Sequence, residues 1–220
     1  MFSTGSNLWL MIWPASWETI YMVSIATVVT TLLGVPLGVV LVVTRQGHIM
    51  ANKLVNRLVG LPVNFIRAIP FPIFILFVIP ITRVLTGTSI GPNGVIVPLS
   101  LAAIVFMARL AETAMLEVPY GVIEAAISAG ANRRQIIWHV LLPEAGSGLI
   151  LSVTILVVTL IGYSAMAGLV GGGGLGDLAV RYGYYRYRAD VMWVCVIILS
   201  FVVQALQNFG EALARKYNRR

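Results

Sequence analysis

An all-α, polytopic membrane fold is what this sequence predicts, on three observations. Only 10% of the 220 residues are charged and 59% are hydrophobic, whereas soluble chains carry about 25% charged residues. Mean hydropathy is correspondingly high, at +0.92. Five apolar stretches, at about 17–43, 62–84, 95–116, 147–170 and 190–210, each reach the roughly 20 residues that a bilayer-crossing helix needs. They are too long for barrel strands of about 10 residues, which leaves helices. Finally, Lys and Arg divide unequally between the connecting segments. With the N-terminus outside, the inner side holds nine: Arg45, Lys53, Arg57, Arg133, Arg134, Arg215, Lys216, Arg219 and Arg220. The outer side holds four: Arg83, Arg181, Arg186 and Arg188. Cytoplasmic loops carry the excess of Lys and Arg, so the expected topology is N-terminus outside and C-terminus cytoplasmic. The outer group 181–188 runs against the rule, flanked by Asp177 and Asp190.

The elements follow in order. Met1 to Asn7 contains no basic residue and so lacks the charged start of a cleaved signal peptide. Trp9, Trp13 and Trp17 recur every fourth residue, which puts them on one helix face suited to the headgroup boundary. In span one, Gly34 and Gly38 form a small-xxx-small pair with Pro36 between them, readable as close helix packing or as a dimer contact. Span two carries Pro62, Pro70, Pro72 and Pro80. An interior helix proline costs about 3 kcal/mol in soluble hosts, and in membranes such breaks persist where neighbours or a cavity satisfy the freed carbonyls. Span two is therefore expected to be kinked and pathway-facing, although Pro62 and Pro80 also read as terminal prolines. Arg67, near its inner end, is placed to snorkel toward lipid phosphate or to serve a gate or subunit contact. Arg109 and Glu112 on span three, three residues apart, are close enough to pair. The lone cysteine, Cys195, excludes an intrachain disulfide and reads as a small core residue; no metal-ligand set emerges. The length fits one domain, 1–220.

Between spans three and four lies a polar connection of about 119–143. Pro119 ends span three, and Tyr120 to Ala129 reads as a short helix with Glu124 in its first half, near the positive end of the helix dipole. Ala125, Ala126 and Ala129 are strong helix formers that leave a surface another protein can approach closely. Gly130 suits the left-handed position that closes a helix. Asn132 and Gln135 form a capping pair for a second helix, whose Ile136, Ile137, Val140 and Leu141 are apolar at helical spacing. Pro143 restarts the chain at the foot of span four. A plain turn between spans would be shorter. A capped hairpin suits a docking partner.

Other chemistry is excluded. The net charge of +7 sits beside apolar segments, as lipid anchoring requires, and no basic face interleaved with stacking aromatics supports nucleic-acid binding. No Gly-x-x-x-x-Gly-Lys-Ser/Thr loop exists, and the only lysines are Lys53 and Lys216, so the chain is not expected to hydrolyse ATP. Gly171 to Gly176 contains Gly-x-Gly-x-x-Gly, but a membrane span precedes it where a dinucleotide site needs a strand. Gly173, Gly174 and Gly176 read instead as an outer docking or gating loop. Tyr163, Ser164 and Met166 interrupt span four with modest polarity, as core packing or as a gate whose adaptable element is Met166. Pro70 and Pro72 join them as pathway candidates. His48 and His139 lie outside the spans and no His-Glu-x-x-His occurs, which argues against an intramembrane hydrolase.

Glu124-Ala125-Ala126, Gly130 four residues after the second Ala, then Val140-Leu141-Leu142-Pro143 resembles the cytoplasmic loop of permease subunits in bacterial ATP-binding-cassette importers. Val140 stands where that family often has Ile. The rest resembles the methionine-importer branch over nearly all of 15–210. The likeness rests on Val63-Asn64-Phe65-Ile66-Arg67-Ala68-Ile69-Pro70-Phe71, on Ile79-Pro80-Ile81-Thr82-Arg83 with Gly87-Thr88-Ser89-Ile90-Gly91, on Gly162-Tyr163-Ser164-Ala165-Met166, and on Gly173-Gly174-Leu175-Gly176 with Tyr182-Gly183-Tyr184. The resemblance implies a five-span homodimer in the bacterial inner membrane. It implies coupling through Glu124, Ala125, Ala126, Gly130, Leu142 and Pro143 to two cytosolic ATPase subunits, which hold the ATP and Mg. It also implies an extracytoplasmic methionine-binding protein or lipoprotein as partner. The alternatives are an importer for another amino acid and a non-ABC scaffold or channel.

Overall fold

The computed structural model describes residues 5–218; Met1 to Thr4 and the last two arginines of the charge count, Arg219 and Arg220, lie outside the described residues. Among the described residues every regular element is helical. The elements are α1 (Gly5–Val43), α2 (Lys53–Ala68), α3 (Phe71–Phe77), α4 (Ile79–Thr86), α5 (Gly91–Leu116), α6 (Tyr120–Ser128), α7 (Arg133–Gln135), α8 (Leu142–Glu144), α9 (Gly146–Ala167), α10 (Gly174–Leu178) and α11 (Ala189–Tyr217). A π-helix, Ile136–Leu141, joins α7 to α8, a 3-10 turn, Gly168–Val170, follows α9, and a second π-helix, Ala179–Tyr184, follows α10.

Four stretches are long and apolar enough to cross a membrane: Leu8–Val43, Gly91–Leu116, Gly146–Val170 and Ala189–Tyr217. Counting α2 with α3 as one bent span makes five. The expected span 62–84 is thus broken into three helices. Pro70, at ψ 132°, leaves the helical region, and Pro72 and Pro80 fall in the first turns of α3 and α4, where no N–H is needed. Pro62 remains inside α2. The first span also departs from the expected 17–43. Helix α1 has 39 residues, about 58 Å at 1.5 Å per residue, and takes in all three tryptophans. Trp9, Trp13 and Trp17 are exposed along one face, as their spacing requires.

The chain divides into two compact units. One gathers α1 up to Val29 with Ile69–Ala102 and Val157–Leu206. Its core is Ile12, Ala15, Leu175, Leu178, Val191 and Cys195. The other gathers Thr30–Ala68, Ala103–Leu156 and the chain from Gln207 onward. Leu41, Val63, Val105 and Ala108 pack together there, with Leu37, Val59 and Ile66 against them.

In the second unit, Gly34 and Gly38 do their work within the chain. A Cβ on Gly34 would lie 2.7 Å from Met107 Cβ, and one on Gly38 would lie 2.7 Å from the Ala108 carbonyl and 2.8 Å from Ala111 Cβ. The pair is a seat for α5, which corrects the dimer-contact reading. Lipid tails are as apolar as Leu, so helices in a bilayer cohere by close backbone approach more than by hydrophobic burial. Polar ties supplement this packing. Arg109 pairs with Glu112 as its spacing suggests, and also donates to Asn64 Oδ1 at 2.8 Å and to the Gly60 carbonyl at 3.4 Å, joining α5 to α2. Asn56 Nδ2 donates to the Leu41 carbonyl at 2.7 Å. Arg67 stays exposed in the last turn of α2.

Gly38→Leu is expected to force α1 from α5 and destabilise the protein by about 1–3 kcal/mol, the usual penalty for overpacking. Thermal unfolding of the purified protein in detergent measures this; a midpoint equal to wild type contradicts the packing assignment.

Candidate functional site

The hairpin lies wholly in the second unit. Pro119, at φ −60° and ψ 129°, ends the run from α5 and sets the start of α6. Helix α6 turns Ile123 inward, at 2% exposure, and leaves Glu124 and Ala125 exposed and Ala126 half-buried. Gly130 adopts φ 81°. Its N–H donates to the Ile127 carbonyl at 2.9 Å, and the Ala131 N–H donates to the Ala126 carbonyl at 3.0 Å. These two bonds are a Schellman closure, which requires a left-handed residue and so favours Gly.

Asn132 then starts the next helix by a reciprocal capping box. Gln135 N donates to Asn132 Oδ1 at 3.0 Å, and Asn132 N donates to Gln135 Oε1 at 2.8 Å. The expected α-helix instead widens into the π-helix Ile136–Leu141 before Leu142, half-buried, and Pro143, exposed. A π segment of one turn absorbs an extra residue inside a helix and is frequent at functional sites. Its apolar residues Ile136 and Leu141 are buried, at 2% and 1% exposure. Trp138, which no local pattern in the sequence marks, stands exposed on the hairpin, as do Tyr120, Val122 and Ile127. The hairpin therefore presents small residues, a carboxylate and several unburied apolar side chains on rigidly capped helices. That composition suits a protein interface.

The connection from α1 to α2 meets the hairpin at its first residue. The His48 ring lies edge-on to Tyr120, 5.9 Å between centroids. Burial, with the nearby Arg45 charge adding to it, holds the His48 imidazole below the ordinary histidine range.

The pathway candidates lie in the first unit. Pro70 and Pro72 set Phe71 against the Tyr163 ring, with centroids 4.3 Å apart and planes within 1°. Ser164 turns inward and donates to the Ile161 carbonyl at 2.8 Å. Met166 does not join it and stands exposed, on the same face as the exposed Gly162. The structure thus brings Pro70, Phe71, Pro72 and Tyr163 together and separates the roles of Ser164 and Met166.

Gly173, Gly174 and Gly176 are buried, so they shape the loop from within. Gly174, at φ 77°, donates its N–H to the Glu18 carboxylate at 2.7 Å, and the Leu175 N–H donates to Thr19 Oγ1 at 2.9 Å. A Cβ at Gly173 would lie 2.8 Å from Glu18 Oε2, one at Gly174 would lie 2.6 Å from Thr19 Oγ1, and one at Gly176 would collide with the Ala165 backbone. Glu18 and Thr19 carry no sequence signal for this role, since their partners lie 156 positions away.

The helices define a multi-span membrane protein, and its capped hairpin leaves several apolar side chains uncovered. A family described as binding-protein-dependent transport system inner membrane component matches residues 34–219, and the chain belongs to this family. It is a multi-pass protein of the bacterial inner membrane. Among its relatives, the probable D-methionine transport system permease protein MetI of Vibrio cholerae is 49% identical, over 100% of this chain and 96% of that one. The protein of the same description from Pasteurella multocida is 42% identical, over 97% and 99%. A chain from the inward-facing MetNI methionine ABC transporter superposes with a TM-score of 0.95 at 44% identity, covering 98% of this chain and 100% of that one.

A histidine with a depressed folded-state pKa adds stability that is complete above its unfolded value of about 6.5 and is lost as pH falls through the folded value. The unfolding midpoint is therefore expected to drop on acidification below about pH 6.5, and His48→Phe to flatten that part of the profile. Parallel profiles for the two proteins would assign the acid sensitivity to other groups.

Proposed function

We propose that this chain is the transmembrane permease subunit of an ATP-driven methionine importer and forms the translocation pathway as a homodimer. The observation that carries the reading is the match along the whole chain to the MetNI transporter chain. The hairpin supports it, because its tip is fixed by the Schellman closure and the capping box.

In this reading residues 1–220 are one permease domain, with the N-terminus outside and the hairpin cytoplasmic. The nine-to-four division of Lys and Arg supports that orientation. All four outer arginines are also engaged: Arg83 with Ser89, Arg181 with Asp177, Arg188 with Asp190, and Arg186 over the Tyr182 ring. Two cytosolic ATPase subunits bind ATP and Mg and carry the catalysis; this chain supplies the surface they push on. Glu124, Ala125, Ala126, Gly130, Leu142 and Pro143 belong to that surface, and Trp138 extends it. Nucleotide-driven closure of the ATPases displaces the hairpin. Its stems are α5 and α9, so the displacement enters the spans directly. Tyr163, stacked on Phe71 between Pro70 and Pro72, lines the path, and Met166 is its adaptable constriction. An extracytoplasmic methionine-binding protein delivers substrate to the outer segment that Gly173, Gly174 and Gly176 shape.

The test is reconstitution with the cognate ATPase and binding protein in liposomes. ATP-dependent methionine uptake is expected; ATP-dependent uptake of another amino acid with none of methionine would overturn the substrate assignment. Gly130→Asp strains the left-handed closure and puts a charge at the hairpin tip, and is expected to cut co-purification of the ATPase while leaving membrane insertion intact, since the tip lies outside the spans. Normal co-purification would remove the hairpin from the coupling surface. Met166→Ala is expected to alter uptake and raise ATP hydrolysis relative to transport. Unchanged uptake with unchanged coupling would remove the gate assignment.

A further inference from the structure

The segment leading from α10 to α11 exposes three tyrosines within four positions. Tyr184 and Tyr185 are each 66% exposed and Tyr187 is 90% exposed. Between them stands Arg186, whose guanidinium lies 4.5 Å from the Tyr182 ring centroid, while its neighbours Arg181 and Arg188 are neutralised by Asp177 and Asp190. Tyr187 has φ 54°, the one non-glycine residue with positive φ among the described residues.

The backbone of this turn is held by hydrogen bonds that do not involve the tyrosine side chain. Tyr185 N donates to the Val180 carbonyl at 3.0 Å, Arg188 N to the Tyr182 carbonyl at 3.1 Å, and Ala189 N to the Tyr187 carbonyl at 3.2 Å. Glycine would satisfy the same turn without strain. A bulky residue in the left-handed region is an outlier, and such strain gathers at binding and switch sites. With 90% of its surface exposed, Tyr187 gains nearly nothing inside the chain that would offset the strain. Its side chain is left free for contact outside the chain. Tyr and Arg are also the residue types that dominate interface hot spots, because they bring large area at low entropy cost. Interfacial tyrosines can anchor a protein in lipid headgroups. A fluid headgroup layer, however, selects no single backbone geometry, whereas a folded partner does.

We propose that Tyr184, Tyr185, Arg186 and Tyr187 form the docking surface for an acidic face of the extracytoplasmic binding protein. The proposal rests on the functional reading above, which puts this segment outside and makes transport dependent on such a protein. It moves the point of contact from the buried glycines to the tyrosines that follow them. Arg186, propped by Tyr182, supplies the positive charge, and the tyrosines supply the contact area.

The experiment uses the permease–ATPase complex in nanodiscs, with fluorescently labelled binding protein titrated at two salt concentrations. Tyr187→Gly is expected to raise the thermal midpoint, since the strain is relieved, and yet to weaken binding about tenfold, equivalent to about 1.4 kcal/mol. Arg186→Glu is expected to weaken binding by at least about tenfold and to reduce its salt dependence. The Tyr184→Ala, Tyr185→Ala double variant provides a second reading that does not touch the strained residue. A raised midpoint with unchanged affinity would make Tyr187 a purely structural feature and overturn the proposal. Unchanged affinity with an altered requirement for anionic lipid would make the patch a membrane contact and overturn it equally. A wild-type complex that neither binds nor responds to its binding protein would bring down the functional reading itself.

Discussion

Buried backbone polar groups must find partners inside the protein, and nothing in a bilayer relaxes that demand. Long helices meet it for most of the chain. The informative places are where the helices stop. Where the glycine turn enters α10, the amides of Gly174 and Leu175 are taken by Glu18 and Thr19 of α1. Glycine is needed there because the side chains that supply the acceptors come too close for a Cβ. These two bonds anchor the start of α10 against α1, and the residues that follow, Leu175 to Leu178, stay buried with the turn.

Close approach is the second organising effect. Gly34 and Gly38 let α1 lie against α5, and Gly210 does the same for α11, where a Cβ would collide with Thr154. In a medium that offers no hydrophobic gain for helix association, contact area between backbones and a few interhelical bonds carry cohesion. The Arg109, Glu112 and Asn64 cluster shows how a charged group is kept at such depth: its carboxylate is on the same helix and a neutral amide comes from the next. Breaking either contact would leave a guanidinium short of partners. The cluster ties α2 to the lower part of α5, the stem that continues into the hairpin.

The hairpin is pinned at its tip. Two complementary devices meet there, a left-handed glycine closing the first helix and a reciprocal side-chain box opening the second. Both were legible in the sequence, since Gly130, Asn132 and Gln135 act through neighbours within a few positions. The break in the second span was legible for the same reason, as proline acts on its own backbone. The π-helix at Ile136–Leu141 was not, because the choice between α and π spacing depends on what the helix packs against. The stacking of Phe71 on Tyr163 was not legible either, because it joins residues 92 positions apart in the chain. The glycines at 173, 174 and 176 were recognised as special, but burial reversed their expected position from contact surface to internal scaffold.

By itself the sequence determined the helical class, the apolar runs, the capped hairpin and the family resemblance. Each is carried by composition or by residues close together along the chain, where propensity and hydrogen bonding act locally. Only the tertiary structure decided that α1 begins well before its apolar run, that Gly34 and Gly38 face α5, that Glu18 and Thr19 hold the glycine turn, and which aromatic residues remain uncovered. Those outcomes depend on which distant surfaces meet, and in lipid that choice is made by shape and by a few buried polar bonds, neither of which leaves a periodic mark in the sequence.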